Sequence, residues 1–399
     1  MLVRAQEPRR RTASVASLPV TEATARRSQP GGLDDHPCVR AALRLAAGVL
    51  APQAEQVDVE GVPASHVEAL AGAGLLGLYG PADAGGSDVP APVARRVTEV
   101  LSGADGATWF VWTQHATPVR ALTRSGNAEL RRRWLPRLCR DVLGGIAMAH
   151  LRRSAGPTVR ACAGADGGWR LDGTASWVTS WGLAEVLLVG AVTDDDRAVS
   201  VLVAAHEQPG LVASQPLALA AMGATSTVRL ELDGLVVPAG DVVDVEPLDR
   251  WRRADADKTA NVTPAVFGLI DSVVAKLEAA ADRRGEPAAL ALARALAEET
   301  GAVRAAAYRL LDEVPAREAI EERLALRGHA LELGVRAATA LVVTSGGAGM
   351  SRSSPAQRLA REALFHLVQA QTPPVRRATL ARLAEVGGRR WAPGQPRSQ

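Results

Sequence analysis

Histidines and one short aromatic-hydroxyl stretch are where this sequence could do chemistry. His115 lies in "FVWTQHATP", His150 in "AMAHL" and His366 in "REALFHLVQAQT". An imidazole titrates near neutrality and suits general acid–base work. The ordinary alternative for each is a core or surface histidine satisfied by a neighbour. The stretch "LDGTASWVTSWGLAEVLLVGA", residues 171 to 191, reads as a strand, an Asp172-Gly173 turn, a second strand and the apolar run Val186 to Val192. Trp177 and Trp181 stand there in a chain that is only 3% aromatic, with Thr179 and Ser180 between them. A rigid indole beside small hydroxyls suits a flat ligand with a hydrogen-bonding edge. A buried core tryptophan in a sheet is the plainer reading of the same residues.

The elements that would position these groups fall into zones of different period. From 35 to 145 apolar residues recur at three- and four-residue spacing, as in "PCVRAALRLAAGVLAPQAEQV", which predicts helices. Pro63 and Ser65 offer a start for the second of these, and Gly74 and Gly77 mark its end. From 146 to 246 the period becomes two, in "GGIAMAH", "AEVLLVGAVT", "AVSVLVAA" and "TVRLELDGLVVP". From 247 to 399 long Ala-rich helical patterns return, four of them, which predicts a helical bundle. Residues 1 to 34 have no apolar period and read as a disordered tail.

Composition removes several classes of function. The chain of 399 residues is 47% hydrophobic and 22% charged, ordinary for a globular protein. Its pI is about 9.0, yet the formal charge is only +3, and arginine supplies almost all the cations. No basic-aromatic patch is present that could stack bases, so a nucleic-acid partner is not expected. The three cysteines, Cys38, Cys139 and Cys162, form no C-x-x-C pair; neither a metal site nor a disulfide framework is indicated. Reduced thiols, with no signal-peptide pattern and no membrane-length apolar run, imply a cytoplasmic protein without a membrane partner.

Five segments in order resemble the acyl-CoA dehydrogenase superfamily. "HVEALAGAGLLGLYGPADAGGSDVP" is similar to the family's helix that runs into Gly-Leu and Pro-Glu-x-x-Gly-Gly. "RRRWLPRLCRDVLGGIAMA" is similar to its Trp-Leu-Pro-x-Leu helix and first strand. "LDGTASWVTSWGLAEVLLVGA" looks like its second flavin segment, "MGATSTVRLELDGLVVPAGDVV" like the strand closing the β domain, and "SGGAGMSRSSPAQRLAREAL" like its Gly-Gly-x-Gly loop and following helix. The resemblance implies an α+β fold: an N-terminal helical domain, a middle antiparallel β-barrel or sandwich, and a C-terminal four-helix bundle. It implies FAD, with Trp177 and Val178 against the isoalloxazine and Thr179 and Ser180 donating to its polar edge. The dinucleotide would be approached by Gly346, Gly347 and Gly349, and Thr372 survives from a further family stretch. The implied partners are a hydrophobic or acyl-thioester substrate, held on CoA or a carrier protein, and identical subunits in a dimer or tetramer. "WFVW" (109–112) and "PAVFGLI" (264–270) would line an apolar pocket.

The departures bear on the reaction. Where the family's first strand has Thr and Glu, this chain has Ala149 and His150, with Ser154 or Thr158 as substitute donors. Its catalytic glutamate is missing from both usual places: Pro374 stands at one, and Lys258 to Asn261 at the other, with Asp255 and Asp257 within about a turn. A family arginine corresponds to Gly223, followed by Thr225, Ser226 and Thr227, and a family glutamine to Val343. His115, His150, His366 and Asp257 are therefore the candidate acid–base groups. Three readings follow: a flavin-dependent dehydrogenase of an acyl thioester, a flavin monooxygenase of the same fold, or a non-redox scaffold that binds or catalyses without cofactor.

Overall fold

The computed structural model describes residues 32–387 apart from Ser154, Ala155, Pro157 and Ala165; most of the N-terminal tail and Ser154 therefore lie outside the described residues. The chain opens with helices α1 (Pro37–Leu45), α2 (Ala51–Glu60), α3 (Ala64–Gly72), α4 (Ala91–Ala104), α5 (Gly106–Arg124) and α6 (Ala128–Arg140). Side-chain caps start the last two. Asp105 accepts from Ala107 N at 3.0 Å, and Asn127 accepts from Leu130 N at 3.1 Å, each satisfying an amide with no helical partner.

Strands follow: β1 (Gly144–Ala147), β2 (Val159–Ala163), β3 (Trp169–Val178), β4 (Val186–Val192), β5 (Arg197–Ala204), β6 (Leu211–Ala213), β7 (Val228–Val237) and β8 (Val242–Pro247). They form one sheet in the order β6-β7-β3-β2-β4-β5-β8, with β1 beside β4. The expectation of a purely antiparallel domain needs correction. β1 runs parallel to β4 from Gly144↔Val186 to Ala147↔Val189, and β2 meets β4 in parallel at Arg160↔Val192, so the sheet is mixed. The reason is visible in β4, whose seven residues are all buried. Leu187, Val189 and Ala191 point into the core shared with the N-terminal helices. Val186, Leu188 and Val192 point into a second core with Val119 and Leu122 of α5 and Leu138 of α6. A strand covered on both faces reads as a continuous apolar run, the usual setting of parallel pairing.

Helices return as α7 (Leu248–Thr259), α8 (Pro264–Arg284), α9 (Pro287–Glu313), α10 (Ile320–Ser345), α11 (Pro355–Val368) and α12 (Pro373–Gly387). The four long patterns in the sequence are α8 to α11. Phe267, Ile270, Val273 and Leu277 of α8 pack with Leu296 and Val303 of α9 and Leu331 and Leu341 of α10. α8 also crosses α4 backbone to backbone. A Cβ on Gly268 would fall 2.1 Å from the Glu99 carbonyl oxygen, and one on Gly103 would fall 2.7 Å from the Gly268 oxygen. Burying one methyl there forces the helices apart. Gly301, exposed in α9 with nothing within 4 Å of its Cβ position, carries no such constraint. Gly268→Ala should therefore destabilise by about 1–3 kcal/mol, whereas Gly301→Ala should stabilise by about 0.5–1 kcal/mol. Chemical denaturation of both variants against the parent checks the pair; equal effects would contradict the crossing.

Candidate functional site

A groove of about 2430 Å³ opens between α5, the ends of β1 and β3, β8, α7 and the α11–α12 turn. Its volume exceeds that of an ordinary single-ligand pocket. Phe110 of α5 and Phe365 of α11 meet edge to face on its wall, centroids 4.6 Å apart.

Trp177 faces this groove with 60% of its surface exposed. The β3–β7 register slips between Ala175 and Val178, and the bulge throws the indole out of the alternation. Trp177 (φ 65°) and Ser180 (φ 71°) are left-handed, as are Met222 (φ 59°) and Ser226 (φ 47°) in the facing segment. The two strained segments hold one another: Ser180 N donates to Thr225 O at 3.0 Å and Trp181 N to Ser226 O at 3.2 Å. Such conformations persist where the surroundings over-determine them, and they cluster at functional sites.

The hydroxyls next to Trp177 have defined roles. Thr225 Oγ1 donates to Met222 O at 2.8 Å, so its proton is used. Thr227, 2.9 Å away, must then donate to Thr225, and Thr179, 3.1 Å from Thr227, must donate to Thr227. Each hydroxyl has one proton. Thr179 lines the groove with lone pairs and no free proton, which corrects its expected role as a donor. Ser180 is fully buried with its Oγ unpartnered, and Val178 is buried against Val228; neither lines the groove. Thr158 spends its proton on Thr174 O at 2.6 Å.

Of the four acid–base candidates, His150 alone lines the groove. Its Nε2–H donates to Gly190 O at 2.7 Å, which leaves Nδ1 unprotonated and without a partner. His115 is committed on both nitrogens, donating to Leu76 O at 3.1 Å and accepting from Gly144 N at 2.9 Å. It is the satisfied core histidine. His366 is buried beside Trp109, centroids 5.4 Å apart, with Nδ1 unpartnered. Asp257 turns to Arg317 at 3.2 Å.

The glycine turn and the indole are not brought together within one chain. Gly346 (φ 64°) and Gly347 adjoin a separate cavity of about 480 Å³, lined by Lys276, Arg283, Arg284 and Ser345. Gly349 is buried against Ser345 and the Val342 carbonyl. Thr372 lies between groove residues Gln371 and Pro373, its carbonyl accepting from Arg376 N at 2.9 Å. The expected apolar lining is mostly core. Trp109, Val111, Trp112 and residues 265–270 are buried, and only Phe110 and Pro264 of those two runs reach the groove.

In their place the groove carries charge that sequence reading missed. Arg152, from the turn after β1, grips Asp255 of α7 through two hydrogen bonds of 2.7 and 2.6 Å. Lys258, one turn further along α7, and Arg327 of α10 also line it. A signal did exist: Lys258 is one of only two lysines among 46 cationic residues.

Residues 34–141 match the family described as acyl-CoA dehydrogenase, N-terminal domain. Benzylmalonyl-CoA dehydrogenase of Aromatoleum aromaticum is 26% identical over 47% of this chain and 52% of its own length. Isovaleryl-CoA dehydrogenase of Pongo abelii is 26% identical over 49% of each. The chain thus spans about half the length of the curated relatives it matches. Among solved structures, glutaryl-CoA dehydrogenase of Mycobacterium smegmatis in complex with FADH2 superposes with a TM-score of 0.75 over 88% of this chain and 94% of that one, at 19% identity. Dibenzothiophene monooxygenase of Paenibacillus superposes with a TM-score of 0.70 over 88% and 96%, at 20% identity. Residues 34–141 thus match the N-terminal domain of acyl-CoA dehydrogenases, and the chain shares the fold of solved acyl-CoA dehydrogenases. Among the described residues, no helix is long and apolar enough to cross a membrane.

Burial holds the three histidines neutral: it lowers His115 and His150 to about 4 and His366 to about 3. Hydrogen bonds to Leu76 and Gly190 partly oppose the effect in the first two, while the Arg327 charge adds to it in the third. The unfolded chain, with histidines near 6.5, binds more protons than the fold between pH 6.5 and about 4. Their stabilisation is complete above pH 6.5 and is lost as pH falls, on the order of 3 kcal/mol for each. Asp105 and Glu362, raised chiefly by burial, act in the opposite sense as they protonate. Urea unfolding should show stability falling from pH 7.5 to 5 as protons are taken up on unfolding, and His366→Leu should remove about one proton of that uptake. A flat profile would contradict this assignment.

Proposed function

We propose that this chain is an FAD-dependent oxidoreductase whose isoalloxazine packs on Trp177 and whose reaction is desaturation of an acyl thioester or a similar substrate. The observation that carries the reading is Trp177 itself. An indole 60% exposed, held at positive φ on the wall of a large groove, is costly to keep unless it has a face to stack on. The fit extends to one edge, where Thr179 offers lone pairs to an N–H such as the flavin ring carries. Bound FAD would supply the acceptor for a hydride from the substrate. The protein's own contribution begins with exclusion of water by Trp177, Phe110 and Phe365. Of the acid–base candidates only His150 lines the groove, and with its Nε2–H on Gly190 O its buried Nδ1 would be the atom to take a substrate proton. Asp255 is occupied by Arg152 and is not free to do so. Assembly as a closed homo-oligomer fits the exposed Val343, Met350, Leu364 and Leu380 on the C-terminal helices.

The second reading is a flavin monooxygenase, favoured by the pairing of Asp255 with Arg152 and by the likeness in fold to the dibenzothiophene enzyme. Anaerobic mixing of FAD-loaded protein with a panel of acyl-CoA thioesters separates the two. Bleaching of the flavin by a thioester supports desaturation, and thioester-independent oxygen uptake with an external flavin reductase supports oxygenation. Failure of both assays on loaded protein would sink the oxidoreductase reading. Trp177→Ala should weaken FAD binding by about tenfold or more with the melting temperature unchanged. His150→Gln, which keeps an N–H for Gly190, should slow reduction on the order of 10²-fold while FAD binding is kept.

A further inference from the structure

The base of the groove has a charge imbalance that the reading above does not use. Arg120 and Arg124 of α5, Arg152 from the turn after β1, Lys258 of α7 and Arg327 of α10 all line it, and among the described groove carboxylates Asp255 is the one ion-paired with any of them. That carboxylate is already held by Arg152 in a two-bond clamp. Among the described residues, no carboxylate lies within ion-pair distance of Lys258. Glu246 of β8 pairs with Arg250 at 3.4 Å and also lies in the field of Arg124, Asp244 accepts from Val245 N at 2.9 Å, and Asp257 faces Arg317. Arg120 rests over the Tyr79 ring at 3.9 Å, and Arg124 donates to the Arg120 carbonyl at 3.1 Å.

Arg327 supplies an independent observation. Only 4% exposed, it donates to the carbonyls of Thr259 and Gln369, and its Nε is buried with no partner. Neutral carbonyls leave its charge uncompensated, and an unmet guanidinium N–H in a buried setting costs free energy. Lys258 is exposed to solvent, and partial desolvation together with the neighbouring Arg120, Arg152 and Arg124 depresses its ammonium, as expected for a cation crowded by cations. Concave walls of one sign concentrate counter-ions, and lysine and arginine are the usual oxyanion partners.

We propose that this end of the groove is an oxyanion subsite, in which Lys258, with Arg327, Arg124 and Arg120 behind it, receives a carboxylate or phosphate group on the ligand. The site does not depend on flavin and is tested without it. A ligand with an acidic end would be selected over its neutral counterpart, since the neutral group would leave Lys258 and Arg327 unmatched.

The test is calorimetric titration of the full-length protein, as purified and whatever its colour, with glutarate, inorganic phosphate and the neutral glutaramide at low ionic strength. Saturable binding of glutarate, phosphate or both is expected, with glutaramide silent. Glutarate alone assigns the anion to a carboxylate source, phosphate alone to a phosphate ester, and both to their shared chemistry. Lys258→Met should weaken anion binding by about tenfold or more, Lys258→Arg should restore most of it, and the exposed Arg124→Gln should cost a few-fold. The proposal is overturned if neither anion binds the parent at about 20 mM, or if the folded Lys258→Met protein binds as the parent does. It is overturned equally if glutaramide binds as well as glutarate. A colourless protein that still binds glutarate would separate this conclusion from the flavin reading.

Discussion

Arg358 is 2% exposed and sits where three parts of the chain meet. On α11 it bonds Glu362 one turn away at 2.7 Å, and it reaches Glu55 of α2 at 3.2 Å. It also lies in the field of Asp105, the residue that caps α5. Burial alone would weaken its charge, but Glu362 and Glu55 more than offset that and raise its pKa. Arg361 and Asp58 repeat the α11–α2 link one turn on. Breaking such a buried pair strands a charge, at a cost of about 3–5 kcal/mol. Position is the larger consequence. These contacts fix α11 against the N-terminal helices, bring Phe365 to Phe110, and so set the wall that faces Trp177.

That wall matters because the sheet on the other side is strained. Positive φ at Trp177 and Ser180 is met by positive φ at Met222 and Ser226, and the two segments are tied by backbone hydrogen bonds. The chain of hydroxyls from Thr179 to the Met222 carbonyl fixes proton direction as well as position. The groove therefore has one apolar, stacking region with an acceptor edge and one cationic region.

The fold was legible in the sequence because it rests on local periodicity. The seven-residue apolar run of β4 and the long patterns of α8 to α11 each encode their own burial. The parallel partner of β4 was not legible, since a doubly covered strand reads alike in either direction. Trp177 and Thr179 could be singled out by type, whereas the bulge that exposes one and the hydroxyl relay that orients the other depend on β7, fifty residues away. His115 and His150 look alike in sequence; Gly144 N and Leu76 O, both distant, make one of them structural. The run at 109–112 looked like a ligand surface, but on a helix only one of its four side chains could face the groove. Lys258 of α7 and Arg327 of α10 reach the same groove from elements far apart in the chain, so no local spacing announces them.

The most direct measurement of the central claim is the absorption spectrum of the purified protein incubated with FAD and then desalted. One flavin retained per chain, with bands shifted from free FAD by the Trp177 indole, is the predicted result. A protein that stays colourless after loading, though folded by circular dichroism, would contradict it.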